Sequence, residues 1–264
     1  MDRLPDLTIS GMGKTAGGRF SDVDISGLGK VSGDLEAERI VISGKGTIEG
    51  NVVLSKRMEI SGMGTITGGV IGGDITSSGT GSIEGAADIG YLESSGNIKI
   101  GGEAKVRELY CNGRCRFEKS LKAEKVSSRG LLSVGADVEA EDFNSQGSFS
   151  VNGLLNANRL EIVIHGYCQA REIGGEEIRV TSGKYISASI LAKLINPFLG
   201  SGRELDRLTV EQIEGTNVSV EYTSAKVVRG NRVKIGPECT IELVEYTDSI
   251  EVDPRAVVKS QTKL

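Results

Sequence analysis

Residues 42–50 read ISGKGTIEG, and residues 60–68 read ISGMGTITG. The phrase recurs outward in both directions: ISGLGKVSG at 25–33, ISGMGKTAG at 9–17, SSGTGSIEG at 77–85. With the glycine of each Ser-Gly as origin, the anchors are Gly11, Gly27, Gly44, Gly62, Gly79, Gly96, Gly113, Gly130, Gly147, Gly166 and Gly183. Successive anchors lie 16 to 19 residues apart, most often 17. Constant spacing over so many units is the signature of a repeat architecture.

Columns drawn through the repeats carry the fold. Four residues after the anchor stand Val31, Ile48, Ile66, Ile83, Ile100, Phe117, Val134 and Val151. Eight after it stand Leu35, Val52, Val70, Ala87, Ala104, Leu121, Val138 and Leu155, and four before it a further apolar column runs from Leu7 and Val23 to Ile162. Apolar residues at even offsets are strand alternation, because successive side chains of a strand point to opposite faces. Glycine recurs six after the anchor, at Gly17, Gly33, Gly50, Gly68, Gly85, Gly102 and Gly153, where a corner needs backbone freedom. A unit of this length is too short for a strand plus a helix. It suits one coil of an all-β single-stranded β-helix, a β-solenoid of three short strands per coil, each coil buried only by stacking on its neighbours. The expected layout is a main β-helix of about eleven coils over 7–185, an interruption at 186–207, and further β-helical coils over 208–264. The interruption holds ILAKLINPFLG (190–200) and reads as a loop or a short helix packed on the coils.

The repeat also explains Gly13-Lys14-Thr15, which imitates the end of a phosphate-binding loop. That loop needs a glycine five positions before the Gly-Lys pair, where Thr8 stands, and a helix after it, where Ala-Gly-Gly-Arg-Phe follows. Net charge is −5 over 264 residues, which disfavours a sequence-independent grip on nucleic acid. No leader and no apolar run long enough for a membrane span is visible, so the four cysteines read as reduced thiols in a cytoplasmic protein.

No catalytic, cofactor or metal site is expected. His165, the sole histidine, falls in a polar column one before the anchor with Ser10, Ser26, Ser43, Ser61, Ser78, Ser95, Asn112, Arg129, Gln146 and Ser182. A serine nucleophile needs a base beside it, and the run of serines from Ser10 to Ser95 has no histidine among it. Cys111 and Cys115 have the spacing of half a metal site, but Cys168 and Cys239 are isolated, so small buried thiols are expected. Glu49 and Glu84 read as solvated charges beside a glycine corner.

With the repeats in place, the sequence resembles the bactofilins, bacterial polymer-forming cytoskeletal proteins. The resemblance rests on coils such as Ile60 to Gly68 and on VKIGPECTIELVEYTDSIEVDPRAVV (233–258), and it spans most of the chain. It implies a right-handed, triangular β-helix that assembles without nucleotide into filaments or sheets. It implies, too, a non-enzymatic scaffold that is cytoplasmic and cytoskeletal and positions envelope, cell-shape or motility proteins. The principal partner would be another copy of the chain, with no nucleic acid; contact with a membrane is left open. The polymer interface expected from the thinly capped first and last coils comprises Leu7, Ile9, Ile250, Val252, Val257 and Val258. Two alternatives stand beside this. Ile42, Ile48, Leu54, Ile60 and Ile66 follow the six-residue period of left-handed β-helix acyltransferases, whose general base would have to be His165. A monomeric solenoid displaying binding ladders is the other.

Overall fold

A computed structural model describes residues 4–183 and 206–264. Those residues form strands, corners and bends, with no helix among them. Two compact units divide the chain, Met1–Ala140 and Glu141–Leu264.

The first unit is a parallel β-solenoid. Strand Met12–Ile25 pairs with Leu28–Ile42, and each later coil lies on the one before it. The register follows the anchors. Partners lie 16 residues apart at Leu7↔Val23, 17 at Leu28↔Lys45, 18 at Lys45↔Met63 and 17 again at Met63↔Thr80. Within a coil such as Arg114–Phe117 and Leu121–Ser128, alternation breaks at three places: Asn112-Gly113, Glu118 to Ser120, and the exposed pair Glu124-Lys125. Those breaks are the corners. The inward columns are buried as the alternation predicts; Val31, Ile48, Ile66, Ile83, Ile100, Phe117 and Val134 are at most 1% exposed.

The anchor glycines are held to glycine by the coil beneath. A Cβ built on Gly27, Gly44, Gly62, Gly79, Gly96, Gly113 or Gly130 would stand under 3.0 Å from the carbonyl oxygen of the preceding anchor. Backbone hydrogen bonds clamp the coils there: Gly62 N donates to Ile42 O at 3.0 Å and Met63 N to Gly44 O at 2.8 Å.

A second rule governs the core around this corner. The residues two before and two after the anchor both point inward. In the early coils they are isoleucine and glycine: Ile25 with Gly29, Ile42 with Gly46, Ile60 with Gly64. A Cβ on Gly46 would lie 3.0 Å from Ile42 Cγ2 and 3.2 Å from Ile25 Cδ1, so isoleucine already occupies the space. Later coils invert the pair: Ser94 with Ile98, Ser128 with Leu132, Ser145 with Phe149. Bulk moves across the corner, from the residue before the anchor to the residue after it, and the core stays filled. The switch occurs at Ser77 and Gly81, where Ile98 from the next coil and Ile60 from the one before fill the gap.

The second unit repeats the design with longer strands: Ser148–Ile164, Tyr167–Ser182, Arg207–Val220, Thr223–Ile235, Thr240–Val252 and Val257–Lys263. All its strand pairs are parallel. Strand Tyr167–Ser182 pairs directly with Arg207–Val220, Cys168 facing Leu208 and Ile178 facing Val218, so stacking resumes across the expected interruption. The loop or helix expected at 186–207 lies outside the described residues apart from Asp206 and Arg207, and Arg207 already belongs to a strand.

One register expectation is corrected. The last anchor, Gly183, and its neighbour Ser182 are displaced by one residue. Ser182 pairs with Ile164, and Gly183 lies over the His165 ring, where a Cβ would collide. The cause is an irregularity between Val151 and Leu154, which changes the pairing from Phe149↔Cys168 to Leu154↔Glu172 and shortens the offset by one.

Candidate functional site

The residue types that carry chemistry do not converge. His165 is exposed in the polar column; its backbone carbonyl accepts a hydrogen bond from Ser148 Oγ at 3.1 Å. Ser26, Ser43, Ser61, Ser78 and Ser95 are exposed along the same column. No group of three or more His, Cys, Asp or Glu placed to hold a metal occurs among the described residues. Glu49 accepts from Lys30 at 2.5 Å and from Ser32 Oγ at 3.0 Å, and those bonds hold its carboxyl below the usual range. Glu84 is exposed. In the first unit an open groove of about 790 Å³ runs over Gly68, Gly69, Gly85 and Ala86. Its rim carries Val53, Ile71 and the ion pairs Lys105–Asp88 and Lys122–Glu139; no histidine or cysteine lines it.

The terminal coils have a different character. Strand Leu7–Ile9 pairs on one side with Met12–Ile25, and strand Val257–Lys263 pairs on one side with Thr240–Val252. Among the described residues neither has a strand on its other side. Unpaired strand edges are templates for another chain. The inward columns open up here. Val23 is 1% exposed while Leu7, its partner in the same column, is only half-buried. At the other terminus Ile235 is 1% exposed and Val252, its partner, 38%. Ile9 is buried; Ile250 and Val258 are half-buried and stand in inward columns with Val233 and Ile241.

Val257 differs from the expectation for this group. It pairs with Thr240, which pairs with Ser224, and both belong to an outward column. Its 59% exposure comes from the face it occupies. Val258 is the valine that continues the core.

Gly11 was not singled out by the sequence and is the most informative residue of the first coil. It begins the anchor column, yet nothing lies within 4 Å of where its Cβ would stand. Its φ is not in the left-handed region either. Among the described residues, neither constraint that accounts for the other anchor glycines acts on it.

The outer face of the second unit carries a ladder of alternating sign, also missed because its members are far apart in sequence. Arg171, Glu211, Lys226, Glu242 and Lys259 follow one another coil by coil. Lys226 bonds Glu211 at 2.9 Å and Lys259 bonds Glu242 at 3.1 Å. The bond to Lys226 lowers the pKa of Glu211, and Lys226 is raised in return. Such exposed pairs contribute little to stability individually. Their effect is on register, since a slipped coil would set Lys226 and Lys259 against uncharged residues and lose the pairs.

Two curated proteins are similar to part of the chain. The uncharacterized protein YhbE of Bacillus subtilis (strain 168) is 41% identical over 114 residues, 43% of this chain and 44% of that protein. The uncharacterized protein YhbF of the same organism is 36% identical over 113 residues, 42% of each chain. The match therefore spans less than half the length of either relative. No family model matches the chain, and no solved structure does.

Proposed function

We propose that this protein is a non-enzymatic, polymer-forming scaffold of the bactofilin kind, which assembles through its terminal coils without a nucleotide. In this reading it is a cytoplasmic, cytoskeletal protein and holds envelope, shape or motility proteins in place. The observation that carries the proposal is Gly11. Every anchor from Gly27 to Gly130 is glycine because a carbonyl of the coil below occupies the space of a side chain. Gly11 keeps that glycine with no coil below it among the described residues. A second copy stacked on the first coil would supply the missing carbonyl. The half-open columns at Leu7, Ile250, Val252 and Val258, and the unpaired strand edges beside them, support the same reading. Stacking would extend both the hydrogen-bond ladder and the core, and neither needs a bound phosphate.

Ultracentrifugation tests it. Wild-type protein without nucleotide should pellet. Gly11→Ala should stay in the supernatant with an unchanged circular-dichroism spectrum, because the methyl group clashes only in the junction. Val258→Lys, which puts a charge in an inward column, should do the same, and the outward Ser61→Lys should pellet. A wild-type protein that stays monomeric at high concentration and low salt overturns the proposal. So do Gly11→Ala and Val258→Lys variants that pellet like wild type.

A further inference from the structure

Cys111 and Cys115 are the two thiols that face each other across a core corner. They hold the positions two before and two after Gly113 and are 0% exposed. Neighbouring coils calibrate the separation of those positions. A Cβ on Gly81 would lie 3.7 Å from Ser77 Oγ, and one on Gly46 would lie 3.0 Å from Ile42 Cγ2. The two side chains therefore meet at their γ atoms, which suits a disulfide, whose Cβ atoms stand about 3.5–4.5 Å apart. In this coil both γ atoms are sulfur, and Cys111 Sγ also lies 3.7 Å from Gly113 O and 3.6 Å from Leu131 O. Packing alone does not call for sulfur here, since Ser94 with Ile98 and Ser128 with Leu132 fill the adjacent coils.

We infer that Cys111 and Cys115 form a redox-active dithiol, which a small peroxide converts to a disulfide within one coil. Cys111 is the attacking group. Its contact with Cys115 holds the Cys111 thiol below the ordinary thiol value against the effect of burial, whereas the same contact and burial raise Cys115. In the first step Cys111 Sγ attacks one peroxide oxygen and the O–O bond breaks. The departing hydroxide takes the Cys115 proton and leaves as water, and Cys111 becomes a sulfenic acid. In the second step Cys115 Sγ attacks Cys111 Sγ. The S–S bond forms, the S–O bond breaks, and the departing hydroxide takes up the proton that Cys111 released on becoming a thiolate, which gives a second water. Two thiols are oxidised by two electrons, and one peroxide is reduced to two waters. Hydrogen peroxide is close to water in size, so a local opening of the coil is enough to admit it. Cys168 and Cys239 are internal controls. Each is buried alone, donates to a backbone carbonyl at 3.4 Å, and is pushed up to about 11 chiefly by burial.

The test is oxidation of the folded protein with hydrogen peroxide, then alkylation in denaturant, trypsin digestion and mass spectrometry. Trypsin cuts at Arg114, between the two cysteines, so only a disulfide keeps their peptides together. The expected result is that linked pair, with Cys168 and Cys239 fully alkylated. In Cys115→Ser the resolving thiol is gone, and Cys111 should be trapped by dimedone as the sulfenic acid. The inference is overturned if Cys111 and Cys115 are recovered alkylated, over-oxidised or linked between chains. It is overturned equally if the linked pair forms no more selectively in the folded chain than in denaturant, or if Cys115→Ser gives no dimedone adduct. None of these results bears on polymerisation, which sedimentation of the reduced protein reports separately.

Discussion

The same one-carbon change at two glycines of one column should have opposite signs. At Gly62 an added Cβ would stand under 3.0 Å from Gly44 O, whereas ordinary contact begins at 3.4 Å. The coils must separate locally to admit it. That strains three backbone bonds at once: Ser61 N and Gly62 N to Ile42 O, both 3.0 Å, and Met63 N to Gly44 O, 2.8 Å. At a net worth of about 1 kcal/mol each, their loss comes to about 3 kcal/mol. Overpacking data give a similar scale, about 1–3 kcal/mol. The reduced backbone freedom of the unfolded chain offsets about 0.4–1 kcal/mol of this. Gly62→Ala should therefore destabilise by roughly 2–3 kcal/mol. At Gly11 only the last effect operates, so Gly11→Ala should leave the fold unchanged or stabilise it by about 0.4–1 kcal/mol. Urea unfolding followed by circular dichroism, in dilute solution where neither variant is assembled, measures the difference. Equal midpoints for the two variants would refute the stacking of anchor on anchor.

Two further outcomes follow from the same register. Ile66 is 0% exposed in an inward column, and Ser61 is exposed in an outward one. Ile66→Asp should cost several kcal/mol, since even a carboxyl that stays protonated is buried without a partner, about 2–7 kcal/mol on the transfer scales for neutral polar groups, while Ser61→Asp melts near wild type; similar melting of the two would show the faces to be assigned wrongly. Burial, with the Glu93 carboxylate 3.0 Å from its hydroxyl, pushes the Tyr91 phenol up to about 12. Since the unfolded chain releases that proton near the ordinary value of 10.0, the folded state holds the extra proton between the two, and stability falls as pH rises through that window. Phenolate absorbance should show one tyrosine titrating late, absent in Tyr91→Phe; an unchanged curve would contradict the placement.

What could be read in the sequence was whatever alternates locally. Ile48, Ile66 and Phe117 sit at fixed offsets from a glycine that cannot be replaced, so their face follows from counting. The serine column follows in the same way, and with it the exposure of His165. Reading became less reliable where the count slipped. The irregularity between Val151 and Leu154 moved Gly183 out of its column, and nothing in the letters marks it. In the last coils the spacing drops to 15 at Leu208↔Thr223 and returns to 17 at Thr240↔Val257, without Ser-Gly anchors. Which of Val257 and Val258 points inward then depends on pairing. Volume exchange between Ile42 with Gly46 and Ser145 with Phe149 was present in the sequence, but it acquires meaning only once both positions are known to face inward. The exceptional status of Gly11 is a fact about its surroundings, and no sequence pattern separates it from Gly27.

The most direct test of the central claim is negative-stain electron microscopy of the purified protein with no nucleotide or metal added. The account predicts filaments or sheets for wild type, and separate short particles for Gly11→Ala at the same concentration. Wild type seen only as separate particles, or Gly11→Ala polymers indistinguishable from those of wild type, would contradict assembly through the terminal coils.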